Sequence, residues 1–338
     1  MPKYIFKRVM KQTETYITIL LIVLCVIIEF VSNGLMFQPT TIVDICRSLV
    51  IQTMFAMCSL MVIISGGFDL SFPAIATFSF AMSTQILVNI NWQGSALLGF
   101  LLAGIFGTLL GMINGWIISE FKLNTMIVTL STQSIFFGLT QGVFALKDIS
   151  STLPKGLKAI YDWILFSVYG QDGLRSFMPG AFLLMILLIA GVSFLLKKTM
   201  FGRSLYAIGG SEVSAERAGI NVKKTKFILY SVVGCLAGLI GMLRVCMLRQ
   251  SIPKSLIGSE MGVLTAVILG GASIYGGTGS VYGTVVAVII ITVVSNSLIL
   301  LGIDSYWQTF FRGVIILLAV LISAIQAIVR NRRGGNQV

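Results

Sequence analysis

The stretch "TMFGRSLYAIGGSEVSAERAGINVKKTKF", Thr199–Phe227, is polar, small and basic, yet apolar runs flank it at about 178–196 and 227–248. A helix needs about 20 predominantly apolar residues to cross a bilayer, and both flanks come close to that length. Read as a loop between two spans, the stretch makes the chain a polytopic membrane protein. Its cations, Arg203, Arg217, Lys223, Lys224 and Lys226, mark the loop as cytoplasmic, because Lys and Arg accumulate on that side.

The rest of the chain agrees. Its 338 residues are 56% hydrophobic and 11% charged, with a mean hydropathy of +0.96. Soluble domains carry roughly 25% charged residues. The apolar runs are continuous rather than alternating, which selects helices over a β-barrel. Ten spans are expected, at about 16–37, 43–65, 70–90, 94–119, 125–146, 178–196, 227–248, 260–276, 281–302 and 309–329. Glycine-rich sequence makes the third and eighth candidates for broken or re-entrant segments. The expected fold is an all-α, polytopic transmembrane helical bundle. It forms one transmembrane domain over 1–338, with the cytoplasmic loop at 199–226 inside it.

Orientation follows from charge. With both termini cytoplasmic, Lys3, Lys7, Arg8, Lys11, Lys122, Lys197, Lys198, Arg203, Arg217, Lys223, Lys224, Lys226, Arg330, Arg332 and Arg333 all face inward, 15 of the 24 basic residues. The opposite orientation would put that majority outside. The basic N-terminus precedes an apolar run to about Phe37, longer than the 7–15 residues of a signal-peptide core and with no A-x-A site after it, so an uncleaved first span is expected. The 147–177 loop is an amphipathic mix expected to lie along the outer surface.

Several classes are excluded. The net charge of +12 resides mostly in loops between apolar runs, where it sets topology, so nucleic acid is not an expected partner. The chain has no histidine, which removes H-E-x-x-H zinc sites, Ser-His-Asp triads and histidine relays. Cys25, Cys46, Cys58, Cys235 and Cys246 form no C-x-x-C pair and read as small hydrophobes rather than metal ligands. No G-x-x-x-x-G-K-[ST] motif occurs, so no P-loop and no bound cofactor are expected in this chain.

Four groups of residues carry the remaining signals. In the cytoplasmic loop, Ser211 suits an N-cap, Glu212 the positive helix end, and Gly219 a left-handed C-terminal cap. A two-turn helix over Glu212–Ala218 is marginal alone, so either the bundle or a partner holds it; a surface connector and a docking helix both remain open. Glycines form the second group. Gly107, Gly111 and Gly115, and Gly234 and Gly238, have the spacing that lets helices touch closely. Gly270, Gly271, Gly276 and Gly277 permit a tight turn, and without the lysine of a phosphate loop they point to packing. Third, Asp69 in "ISGGFDLSFP" is an acidic residue flanked by apolar runs, readable as a capping group with Ser71 and Pro73 or as a solute contact. Last, Gln52, Asn114, Thr129, Ser131, Gln133, Ser134 and Asn296 must face the bundle or a wet pathway. Each can bridge helices or bond a hydroxyl-rich solute. Arg244 and Arg249 lie near an outer end, suited to an external partner or headgroups.

Taken together, "ISGGFDLS" (64–71), "GMINGWIISEFKLNTMIVTLS" (111–131), "FGRSLYAIGGSEVSAERAGINVKKTKF" (201–227), "LTAVILGGASIYGGTGSVYGT" (264–284) and "NSLILLGIDSYWQTFFRGVIILLAV" (296–320) resemble the permease subunits of ribose- and galactose-type ABC importers. The resemblance implies a bacterial inner-membrane importer. Its parts would be two permease subunits in homodimer or heterodimer, P-loop ATPase subunits that bind ATP and Mg, and an external solute-binding protein. It also implies that Gly210, Ser211, Glu212, Ser214, Ala215, Glu216, Arg217 and Gly219 form the helix that docks on the ATPase. Phe72-Pro73 departs from the small residues usual after the family's D-L-S. Two rivals remain. An ion-gradient-driven transporter would need acidic ligands near the midplane, and Glu29 and Asp69 are the few candidates. A permease for an amino acid or a signalling sugar derivative is the other.

Overall fold

A computed structural model describes residues 3–170, 173 and 175–303, and individual residues 307, 310, 313, 314 and 317 beyond them. Six helices are long and apolar enough to cross a membrane. They lie within α1 (Lys3–Val31), α2 (Pro39–Ile64), α4 (Leu97–Phe121), α7 (Ala181–Lys198), α10 (Val222–Leu248) and α12 (Val281–Leu300). Between them stand α3 (Phe72–Asn89), α5 (Thr125–Gly138) continued by a π-helical turn over Leu139–Val143, and α11 (Glu260–Leu269). At about 1.5 Å per residue, the ten residues of α11 rise only about 15 Å, half the hydrocarbon thickness. The expected eighth span of 260–276 therefore shortens to a half-length helix followed by a glycine-rich turn. The expected tenth span, 309–329, falls almost entirely outside the described residues.

Packing follows burial. α2 is the most enclosed of the six long helices and α1 the least. Phe55 of α2 and Phe72 of α3 meet at 5.0 Å between ring centroids, and Leu60, Ile64 and Ile75 are fully buried on the same two helices. On α1, Ile22, Val23, Val26, Ile27 and Phe30 face outward, as do Leu101, Ile105 and Leu109 of α4 and Ile186 and Leu187 of α7. In water such faces would be a liability; in lipid they are the ordinary exterior.

α4 and α10 make the closest pair, along the expected glycine rows. A Cβ at Gly107 would stand 2.3 Å from the Gly234 carbonyl oxygen, and one at Gly111 would stand 2.4 Å from that of Tyr230. A Cβ at Gly115 would lie 2.9 Å from the carbonyl of Phe227, and one at Gly238 only 2.1 Å from that of Ala103. Backbone touches backbone over three turns, as small-xxx-small spacing permits.

The all-α expectation needs one correction. The 147–177 region holds a short helix, α6 (Lys155–Tyr161), and strand β1 (Ile164–Tyr169), which pairs antiparallel with β2 (Arg175–Pro179). Trp163 explains the tight entry to the hairpin: a Cβ at Gly180 would meet its indole at 2.1 Å. A backbone pair between Ile149 and Ser251, at 2.9 and 2.7 Å, ties this region to the loop after α10. Arg249 pairs with Asp162 and lies 4.0 Å from the Tyr161 ring centroid. Its guanidinium is thus engaged within the chain while remaining partly exposed.

Candidate functional site

Three features stand out along the bundle, one at each end and one buried between. The end formed by 199–227 differs from the expected single helix. Thr199 caps a helix α8 (Met200–Gly210), its hydroxyl accepting from Gly202 N at 3.1 Å, and Leu205 and Ile208 bury that helix's inner face. The chain then turns at Ser211 into α9 (Glu212–Arg217), whose Ser214 N–H donates to the Ser211 hydroxyl at 3.3 Å. Gly219, at φ +84°, closes α9, with Ile220 N bonding to Ala215 O at 3.0 Å. That satisfies carbonyls a short helix would leave bare.

The bundle itself holds α9. Ala215 packs with Ile208 and Val222 in a small apolar cluster. Glu212 pairs with Lys226, and Glu216 with Lys122 at 3.5 Å. Val213, Ser214 and Arg217 stay exposed on the other side. Nothing within 4 Å of Gly210 would obstruct a side chain there.

Gly209, next to α9, sits in a joint with two other segments. A Cβ at Gly209 would lie 1.9 Å from Ile64 O and 2.4 Å from Gly277 N. Gly276, at φ +84°, places its α-carbon where a Cβ would be 2.6 Å from the Gly66 Cα. Gly277 N–H donates to Ile64 O at 2.9 Å, and the Tyr206 hydroxyl to Gly279 O at 3.2 Å. The two glycine motifs, 64–71 and 270–280, thus meet each other and the end of α8. Gly270 packs on the start of α12, where its Cβ would stand 2.6 Å from Thr284, and Gly271 turns the chain at φ +91°.

Beyond that joint lies a buried polar cluster. Asp69 is 2% exposed, and its Oδ1 accepts from Ser71 N at 2.8 Å and from the Ser71 hydroxyl at 2.6 Å. Asn114 Nδ2 of α4 donates to the Ser71 hydroxyl at 2.7 Å. Thr129 of α5 donates to Phe68 O at 3.2 Å and accepts from Leu70 N at 3.2 Å. Ser71, the N-cap residue of α3, makes no side-chain cap bond. Asp69 holds the turn one step before the helix instead. Asp69 Oδ2, Asn114 Oδ1 and the Tyr230 hydroxyl are buried with no hydrogen-bond partner among the described residues.

The other expected pathway residues lie elsewhere. Ser131 is exposed on α5 and bonds back to Ile127 O at 2.9 Å. Gln133 Nε2 reaches Glu260 Oε1, the first residue of α11, at 3.0 Å. Asn296 bonds to Thr292 O at 2.9 Å, while the Thr292 hydroxyl donates to Gln52 Oε1 at 3.0 Å. Only Asp69, Asn114 and Thr129 come together.

At the hairpin end, a cavity of about 540 Å³ opens between α2, the last turn of α10, the loop after it, α11 and α12. Asp44, Arg47, Gln52 and Arg244 are among its lining residues. Of these, only Gln52 and Arg244 draw attention in the sequence. Asp44 and Arg47 fall in the second and third turns of α2, and Glu260 is the first residue of α11, and no local sequence pattern singles them out.

The family model described as "Branched-chain amino acid transport system / permease component" matches residues 41–320. The ribose import permease of Bacillus subtilis is 34% identical over 94% of this chain and 94% of its own length. That of Escherichia coli K12 is 31% identical over 95% and 96%, respectively. A xylose transport system permease of Haemophilus influenzae is 29% identical over 93% of this chain and 97% of its own. No solved structure matches this chain.

Proposed function

The chain belongs to the family of transport system permease components, and from that membership we propose that it is the membrane subunit of an ATP-driven importer for a monosaccharide. It moves solute inward by alternating access, with ATP and Mg bound in a separate P-loop ATPase. The family description names branched-chain amino acids, but near full-length relatives named for ribose and xylose favour a sugar. A second permease subunit and an external solute-binding protein complete the complex.

The observation that carries this reading is the build of α9. A six-residue helix has no independent stability, yet here it is capped at both ends and fixed to α10 by the Glu212–Lys226 pair. Through Gly209 it shares a backbone joint with the segment leading to Asp69 and with the turn between α11 and α12. A push on α9 therefore reaches both glycine-broken segments without crossing a flexible side chain. The exposed Val213, Ser214 and Arg217 form the face offered to the ATPase.

In this reading the chain makes the ten crossings of the bacterial inner membrane expected from its sequence, α11 serving as the eighth only together with the glycine-rich turn that follows it. Both termini and α9 are cytoplasmic. Purification of tagged chain from native membranes in mild detergent tests the assignment. A stoichiometric P-loop ATPase is the expected companion. Its absence, even after cross-linking through S214C, would overturn the importer reading in favour of a gradient-driven carrier.

A further inference from the structure

The cavity at the hairpin end is lined by two guanidiniums, an amide, four serine hydroxyls and the Asp44 carboxylate. Its 540 Å³ falls inside the range of small-molecule sites, about 300–1,000 Å³. Along α2 its lining runs from Asp44 to Phe55, roughly 16 Å at 1.5 Å per residue, so it reaches well into the bundle. Phe55, Val263 and Ile291 give it an apolar floor. In the polar wall the Arg47 guanidinium lies 4.6 Å from the Phe177 ring centroid, a cation–π contact. Arg244 gives one N–H to the Ser255 hydroxyl at 2.7 Å. Neither guanidinium pairs with a carboxylate among the described residues. Asp44 accepts from the Ser176 hydroxyl at 3.1 Å, and Gln52 Oε1 is taken by Thr292, which leaves its amide N–H groups.

Two guanidiniums and an amide thus line a partly enclosed space with donors available to a ligand rich in acceptors. Arginine's rigid fork reaches two adjacent oxygens at once, and a monosaccharide presents them in every vicinal diol. A permanent anion would also suit the two cations, but Asp44 at the rim opposes it. A transport site must also release what it holds, which neutral hydroxyls do more readily than a carboxylate paired with two guanidiniums.

Resting on the importer reading, we propose that this cavity is the site where the chain holds a neutral monosaccharide during transfer. Arg47 and Arg244 grip vicinal hydroxyls, Gln52 donates to a third oxygen, and the apolar floor receives the sugar's C–H face. Specificity then resides in residues of this chain and not only in the binding protein.

The test uses the complete complex of permease, ATPase and binding protein in proteoliposomes. Ser295 lines the cavity; S295C is introduced with Cys25, Cys46 and Cys235 changed to Ser, leaving the buried Cys58 and Cys246. D-ribose or D-xylose at millimolar concentration should slow its maleimide labelling at least threefold, with D-gluconate giving less protection. R244Q and Q52A should each lower sugar uptake about tenfold and abolish the protection, while ATP hydrolysis stimulated by the binding protein stays within twofold of wild type. Q52A keeps the test open if R244Q folds poorly, since Gln52 is exposed. Unprotected S295C with wild-type uptake in both variants would overturn the cavity assignment and leave the importer reading intact. So would stronger protection by gluconate, or loss of binding-protein stimulation in R244Q, which would make Arg244 a docking contact. No sugar uptake by the wild-type complex would instead sink the sugar-importer reading itself.

Discussion

Asp69 Oδ1 already serves two donors from Ser71, and Asn114 locks the same hydroxyl from α4. The side chain therefore has a structural task, holding the turn that starts α3. The D69A variant leaves the buried Ser71 amide N–H and hydroxyl proton without an acceptor and should lose about 1–3 kcal/mol of stability. D69N keeps the Oδ1 acceptor and drops the charge, so it should melt at or above wild type. Thermal melting of the purified chain in detergent separates the two. A well-folded D69N that transports nothing would show that the carboxylate serves the passage of solute as well as the fold. The acidic residue and its neighbouring Ser71 and Pro73 were legible as a helix start. The bond from Asn114 was not, because the 43 residues between Ser71 and Asn114 hide the contact from any local pattern.

Among the elements, the α4–α10 pair was the most legible, since glycine every fourth residue has one dominant physical use in lipid. It also gives a sharp contrast. A Cβ at Gly111 meets the Tyr230 carbonyl at 2.4 Å, whereas one at Gly210 meets nothing within 4 Å. G111A should cost about 1–3 kcal/mol through overpacking, with G210A near neutral. Folded yield and melting in detergent check the difference; equal behaviour of the two variants would mean that the helices part easily here. α8 escaped the sequence reading although Thr199, Leu205 and Ile208 carry its cap and its buried face. Its glycines and basic residues resemble a loop. The hairpin was hidden for another reason: β1 is only six residues long, and an irregularity in register between Ile164 and Phe166 interrupts its alternation. α9 needs its own test. Lys122 and Glu216 are both well exposed, 73% and 48%, so their pair is worth at most about 1 kcal/mol. Reversing charge with E216K and R217E should leave melting unchanged and reduce ATPase co-purification several-fold. Wild-type complex yield in that double variant would remove α9 from the docking role.

At the scale of the whole molecule, the decisive relation is between the two ends. The chain places α9, the glycine joint and the cations Lys122, Lys223 and Lys226 at one end. At the other it places α6, the hairpin and the mouth of the arginine-lined cavity. Under the proposed orientation, which the charge distribution favours, the α9 end faces the cytoplasm and the hairpin end the outside. In the proposed importer solute would enter at the cavity and work would arrive at the joint, with the buried cluster around Asp69 between them. That polarity is open to direct measurement. Tyr169 is 70% exposed at the end of β1 and Ser214 is exposed on α9. In spheroplasts, a membrane-impermeant maleimide should label Y169C at once and S214C only after the membrane is permeabilised, giving at least a tenfold difference in rate for S214C. The reverse pattern would invert the molecule in the membrane. It would put α9 out of reach of any cytoplasmic ATPase and the cavity out of reach of an external sugar, and no importer built on this chain would survive that result.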